Sequence, residues 1–258
     1  MTSPDILAPP LEPRDRILVV GKTGTGKSHL VKTRLLSAHP RVVALDQKGE
    51  YVVGGSDAPP GMRALRAVSV DEFVELMTGA DPADHGELAV AVQCFGRTWE
   101  QRADNVRTVI DTLADCRDLL VIVDEVALLP RESWQDLEYL ACLSRSWGQP
   151  VVMVAQRATQ IPKTAREQAT RVVSFRQNAL NDAAALVDLC GPDAERITSL
   201  PRFQYFYWHE THADLPYAAP AETHRQPTLE QTTARAAPSK TLTRRKAKRK
   251  AARKPKSP

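Results

Sequence analysis

Short apolar runs of strand length alternate with stretches of helical spacing along most of the chain. Arg16-Ile17-Leu18-Val19-Val20 is an apolar, β-branched run that stops at a glycine-rich segment, and apolar positions from His29 to Leu36 then recur at helical spacing. Arg41 to Asp46 predicts a second buried strand. Val68 to Met77 predicts a strand end, a cap at Asp71 and a helix, because a short acidic side chain before a periodic apolar run suits the free N–H groups of a helix start. Leu88 to Phe95 reads as a further strand and Glu100 to Leu113 as an amphipathic helix. Leu119 to Val123 is apolar without interruption and ends in two carboxylates, Asp124 and Glu125, as in a strand covered on both faces whose C-terminal end opens into a site. Ser133 to Trp147 predicts a helix, Val151 to Gln156 another buried strand, and Arg171 to Phe175 the next. Phe203 to Trp208 predicts an edge strand of the core, although Tyr205, Tyr207 and Trp208 are also suited to stacking on bases.

Strands alternating with helices imply an α/β fold with a mainly parallel central sheet flanked by helices, whose ligands gather at the strand C-termini. The length of 258 residues suits one such core plus tails. Met1 to Arg14 holds four prolines and reads as an N-terminal arm, so the core is expected over residues 15–212. Beyond it, Pro, Ala, Thr and Gln mark a linker over 213–234, and residues 235–258 form a basic tail. Eleven of the 35 Lys and Arg lie in that tail and none of the 31 Asp and Glu does, which leaves 24 basic against 31 acidic residues before it. With so little apolar surface the tail cannot offset the entropy of ordering and is expected to be disordered when free. Duplex DNA, an acidic protein and an anionic membrane surface all suit its charge.

No apolar stretch is long enough to span a bilayer and no signal-peptide pattern opens the chain, so a soluble, intracellular protein is expected. Cys94, Cys116, Cys142 and Cys190 are widely separated with no CxxC pair, which favours four buried thiols over zinc or disulfides.

The segment Gly21-Lys22-Thr23-Gly24-Thr25-Gly26-Lys27-Ser28 carries the most specific chemistry. Glycines at these positions let the backbone turn so tightly that successive N–H groups face phosphate oxygens, at the start of a helix whose dipole favours anions. Gly21, Thr23, Gly24, Thr25, Gly26, Lys27, Ser28 and His29 are therefore the expected nucleotide contacts, with Lys27 on the β- and γ-phosphates of ATP and the Ser28 hydroxyl on Mg²⁺. Asp124 is placed to hold the magnesium water shell, and Glu125 to polarise an attacking water. Gln156 ends another core strand, where its amide can sense the γ-phosphate or orient water. Asp46 also ends a strand nearby, as a turn former or a site contact.

Together GKTGTGKS (21–28), ALDQKGEY (44–51), VIVDEV (121–126) and SRSWGQPVVMVAQRATQIPKTAREQATRVVSFR (144–176) resemble the HerA/FtsK superfamily of DNA-pumping ATPases over roughly residues 15 to 200. The resemblance implies a RecA-like core and a homo-oligomeric ring, a hexamer among its sizes. It also implies Lys27, Glu125 and Gln156 as catalytic groups, and Arg145 as an arginine finger offered to the neighbouring subunit. An ordinary charge at a helix C-terminus is the alternative for Arg145, and Arg97, Arg102 and Arg171 are its rivals as finger. Within the superfamily, the compact chain looks like the genome-packaging ATPases of tailless, membrane-containing icosahedral DNA viruses. That likeness implies double-stranded DNA as substrate, a capsid vertex or portal protein as partner, and a place in host cytoplasm or virion.

Overall fold

The computed structural model describes residues 11–52, 65–79, 88–212 and 217–219. The first ten residues of the expected arm, the basic tail and all of the linker except residues 217–219 lie outside these. The strands are β1 (Arg16–Val20), β2 (Arg41–Asp46), β3 (Arg66–Val68), β4 (Leu88–Val92), β5 (Leu120–Asp124), β6 (Val151–Ala155), β7 (Arg171–Phe175), β8 (Tyr205–His209) and β9 (Tyr217–Ala219). They form one sheet in the order β3-β4-β2-β5-β6-β1-β7-β8-β9. The first seven positions of that order pair in parallel, and β8 and β9 add antiparallel at the end.

Alternation along the strands sorts the core into two layers. Leu18 and Val20 of β1, Val43 and Leu45 of β2 and Val121 and Val123 of β5 face one apolar cluster. Ile17 and Val19, Val42 and Ala44, and Leu120 and Ile122 face the other. Helices α2 (Val70–Thr78), α3 (Trp99–Ala114), α4 (Trp134–Leu143), α5 (Lys163–Glu167) and α6 (Leu180–Cys190) bury their apolar faces in the first cluster. Leu30, Val31, Leu35 and Leu36 fill the second. They belong to α1 (Lys27–Leu30), which continues as a π-helical segment over Val31–Leu35 and a 3₁₀ turn over Leu36–Ala38. Central strands covered on both sides need apolar residues at every position, hence the uninterrupted runs.

Several local expectations are corrected. The cap of α2 is Ser69, whose extended backbone lets its Oγ accept from the Glu72 N–H at 3.1 Å; Asp71 lies inside the first turn. Strand β4 stops at Val92, short of Phe95. Helix α4 ends at Leu143, not at Trp147: the N–H groups of Ser146, Trp147 and Gly148 turn to the carbonyls three residues back, at 2.8, 3.1 and 3.3 Å, and these tighter turns are then closed by the left-handed Gly148 and by the Gln149 N–H on the Ser144 carbonyl at 2.9 Å. The strand Tyr205–His209 is not the edge, because Tyr217–Ala219, three residues inside the expected linker, pair outside it. Leu11 of the expected arm is buried in the second cluster. Of the cysteines, only Cys94 and Cys190 are buried, and burial pushes both thiols up to about 12; Cys116 is half-buried and Cys142 sits exposed on α4.

One buried carboxylate fixes the chain just beyond β6. Asp182, fully buried at the start of α6, accepts from Arg157 Nε at 2.8 Å, from the Thr159 N–H at 3.1 Å and from Thr159 Oγ1 at 2.7 Å. Burial alone raises its pKa, but the Thr159 and Arg157 hydrogen bonds outweigh this and hold it below the ordinary carboxylate value. Replacing Asp182 by Ala removes the acceptor of all three donors at once, so urea unfolding of Asp182→Ala is expected to show a loss of about 2–3 kcal/mol. An unchanged midpoint would show that this lock does not stabilise the fold.

Candidate active site

The loop from Gly21 to Gly26 joins β1 to α1, and packing beneath it demands glycine. A Cβ on Gly21 would stand 2.5 Å from Cβ of Phe175, and one on Gly26 3.2 Å from the Phe175 ring, and both residues have positive φ. Gly26 is also the N-cap of α1 and supplies no side-chain oxygen to its first turn, so the turn's N–H groups are available to an anion. The Gly21 N–H donates to the Ala155 carbonyl at 3.2 Å, which ties the loop to β6. Lys22, Thr23 and Gly24 are exposed, and Thr25, Ser28 and His29 are half-buried around them. Lys27 is buried and donates to the loop's own carbonyls, Gly21 at 2.6 Å and Lys22 at 3.1 Å. Burial lowers its pKa, the like charge of Lys48 adds to this, and Glu125 and Asp124 oppose it. This cationic group is thus poorly solvated and gains from an anionic ligand.

Strand order brings the other sequence-predicted residues to the same edge. β6 lies between β1 and β5, with Val20 level with Ala155 and Val123 level with Met153. The loop, Gln156 and the Asp124–Glu125 pair therefore end three adjacent strands, and at about 4.8 Å per strand the loop and the acid pair lie about 10 Å apart across Gln156. Gln156 is half-buried, and among the described residues its side-chain amide has no hydrogen-bond partner.

Asp124 is 2% exposed and stands directly across from Asp46 on β2. Burial raises its pKa, and the carboxylates of Glu50, Asp46 and Glu125 add to the effect against Lys48, bringing it to about 7. Asp46 is a structural group: its two oxygens accept from the backbone N–H of Glu50 at 3.0 Å and of Tyr51 at 2.8 Å. Glu125 has a left-handed backbone, φ 48° and ψ 61°, uncommon outside glycine and asparagine, which breaks the strand and turns the side chain at the sheet edge. One of its carboxylate oxygens is bonded by the Lys48 ammonium at 2.5 Å; the other, Oε1, is buried with no partner among the described residues. Although partial burial lowers the Lys48 pKa, its hydrogen bond to Glu125 raises it overall. Lys48 is the site residue that sequence reasoning missed. The signal was a lysine two positions beyond a strand-end Asp, but its partner emerges only when β2 lies beside β5.

The arginines fall elsewhere. Arg145 is exposed in the turn before β6, at the N-terminal end of the strands. Its charge helps to lower the pKa of Arg16, after the larger effect of burial. The five-residue length of β1, about 16 Å, separates it from its own loop. Arg171 is buried at that same end in an ion pair with Asp15, Nη2 to Oδ2 2.8 Å. Arg102 lies over the Trp99 ring, 5.0 Å from its centroid, and donates to the Gly96 carbonyl, while Arg97 is exposed. None of these four reaches the Gly21–Ser28 loop through a hydrogen bond or ion pair among the described residues.

The AAA domain family matches residues 12–160, more than half of the chain. The chain is an AAA-domain P-loop ATPase. In fold this ATPase is similar to the genome packaging NTPase B204 from Sulfolobus turreted icosahedral virus 2 in complex with AMP, with a TM-score of 0.54 and 14% identity over 82% of this chain and 99% of that one. The same NTPase in complex with ATP-γS gives a TM-score of 0.54, also at 14% identity over 82% and 99%. The bacterial conjugative coupling protein TrwBΔN70 is similar with a TM-score of 0.53 and 14% identity, over 84% of this chain and 88% of that one. A search of curated proteins finds no match. The fold of the ATPase agrees with the resemblance drawn from its motifs, and nucleotide is its ligand. Among the described residues no helix is long and apolar enough to cross a membrane.

The raised pKa of Asp124 has a thermodynamic sign. Between the unfolded value near 4 and the folded value of about 7 the native ATPase binds the extra proton, so stability from this group falls as pH rises through that window. Nucleotide-free Asp124→Asn is expected to melt higher than wild type at pH 8, by at most about 4 kcal/mol in stability, with the gap narrowing toward pH 5. Equal melting curves at pH 8 would contradict the assignment of Asp124 as an electrostatically costly group.

Proposed function

We propose that this ATPase hydrolyses ATP to translocate double-stranded DNA and packages a viral genome into a preformed capsid, as a homo-oligomeric ring at a capsid vertex. The observation that carries the reading is the convergence of Gly21–Ser28, Gln156 and Asp124–Glu125 on one sheet edge, in a chain that spans 99% of a genome packaging NTPase of the same fold.

In this reading Lys27 leaves the Gly21 and Lys22 carbonyls for the β- and γ-phosphates, and the loop N–H groups with Thr23, Thr25 and His29 surround them. The residues fit a magnesium ion held largely by phosphate oxygens and water. Ser28 and Asp124 are the protein's contributions, and among the described residues no cluster of three or more His, Cys, Asp or Glu builds a metal site of its own. Bound there, the ion would supply positive charge beside the phosphates and favour the ionised form of the Asp124 carboxyl. Glu125, whose Oε1 is buried with no partner among the described residues, accepts the proton of the attacking water once Lys48 yields. Gln156 orients that water from the strand between. The domain boundaries belong to the same proposal: an N-terminal arm over residues 1–14, a core over 15–212, a linker over 213–234 and a basic tail over 235–258 that binds duplex DNA by releasing counterions.

Steady-state ATP hydrolysis with no DNA, single-stranded DNA, duplex DNA and duplex DNA plus purified empty capsids tests the reading. Duplex DNA should stimulate turnover and capsids should stimulate it further. Lys27→Ala should lose nucleotide binding, and Glu125→Gln should bind but not turn over. Truncation before Arg235 should flatten the dependence of log affinity on log salt, by about 0.9 for each phosphate no longer neutralised. Turnover indifferent to every DNA would leave an ATP-dependent scaffold at a virion vertex or membrane; stimulation by duplex without any effect of capsids would favour a cellular HerA-like translocase.

Arg145 lies too far from its own loop to act on it, and its exposure suits action on a neighbouring subunit. Arg145→Ala should bind ATP, assemble, and hydrolyse about 10³-fold more slowly or worse. Mixed with inactive Lys27→Ala subunits it should regain activity, since an intact loop then meets an intact arginine. No recovery in rings shown to be mixed by native mass measurement would move the role to Arg97.

A further inference from the structure

The turn Pro201-Arg202-Phe203-Gln204 leads into β8, closed by the Gln204 N–H on the Pro201 carbonyl at 3.2 Å. Phe203 within it has φ 66°, a left-handed backbone unusual for an aromatic residue, and the side chain held by this strain is 42% exposed. Burial therefore does not explain its placement.

Its neighbours are those of the phosphate loop. β8 runs antiparallel to β7 with Tyr205 level with Phe175, so the turn stands at the sheet edge from which the loop emerges. The Phe175 ring supports Gly21 and Gly26 from below and meets Tyr205 at 5.6 Å between centroids. Cδ1 of Phe203 lies 3.8 Å from the position a Cβ of Gly26 would take. The Arg202 guanidinium lies over the Phe203 ring, 4.6 Å from its centroid, and keeps one face of it covered.

Strand order gives a direction. The groups that act on a terminal phosphate, Gln156 and Glu125, lie on the β6–β5 side of the loop, and Phe203 lies on the opposite, β7–β8 side. A nucleotide whose γ-phosphate points toward β5 carries its base toward β8. We propose that Phe203, backed by Arg202, is the stacking platform for the nucleobase of the bound nucleoside triphosphate. The inference rests on the reading that the Gly21–Ser28 loop holds the phosphates. An aromatic face of this kind holds a base by stacking and dispersion without reading its hydrogen-bond pattern.

The full-length chain tests this with two probes, ATP and inorganic tripolyphosphate, which carries the phosphates without the base. Phe203→Ala should bind ATP about ten- to a hundredfold more weakly by calorimetry and bind tripolyphosphate as wild type does. Phe203→Trp should keep near-native ATP affinity and show tryptophan quenching on adding ATP, absent from wild type and not produced by tripolyphosphate. Wild-type ATP affinity in Phe203→Ala, or an equal loss of ATP and tripolyphosphate, overturns the platform while leaving the phosphate loop in place. Wild-type protein that binds neither probe overturns the loop reading and this inference with it.

Discussion

The site depends on one constraint: four parallel strands must end level with one another. Backbone hydrogen bonds between β2, β5, β6 and β1 set that register, and apolar layers on both faces prevent slippage, because a shift of one residue would turn every buried side chain to the wrong layer. The residues just beyond each strand are then presented at a fixed place along one edge. The glycines of the phosphate loop extend the same logic, since the Phe175 side chain beneath them leaves no room for a Cβ at Gly21.

Placing charge at that edge is costly, and the structure offsets the cost by pairing. Lys48 sits on Glu125, Asp46 commits its oxygens to two backbone N–H groups, and Lys27 rests on loop carbonyls. Asp124 is the exception, buried beside carboxylates with the opposing charge of Lys48 too weak to compensate. In the function proposed above, a magnesium-bound nucleotide would bring charges opposite in sign to both imbalances, phosphate toward Lys27 and cation toward Asp124.

Much of this was legible in the sequence because central parallel strands are written as unbroken apolar runs. The strands around Leu18, Ile122 and Met153, the glycine loop and the acidic pair after Val123 could be read directly, and so could the α/β class and its ATPase activity. What escaped depended on information a linear pattern lacks. The Lys48–Glu125 contact joins residues 77 positions apart and exists only because β2 neighbours β5. Beyond Leu143 the chain winds on to Gly148 in turns whose N–H groups reach the carbonyl three residues back, a change of hydrogen-bond pattern that apolar spacing up to Trp147 does not distinguish from an α-helix. Strand β9 is three residues of unremarkable composition recruited by β8, and Phe203 is distinguished by a backbone angle that no residue-type pattern encodes.

The sheet's two margins are alike. Among the described residues it ends on one side in β3 and on the other in β9, each only three residues long, and β3 carries the exposed, charged Arg66 paired with Glu72. Such short margins offer a passing chain too few free backbone groups to extend the sheet. Crowding many copies together therefore need not fuse them strand to strand. In the ring proposed above, contacts between copies would then fall to loops and helix faces, which can be made and broken without opening a β-ladder.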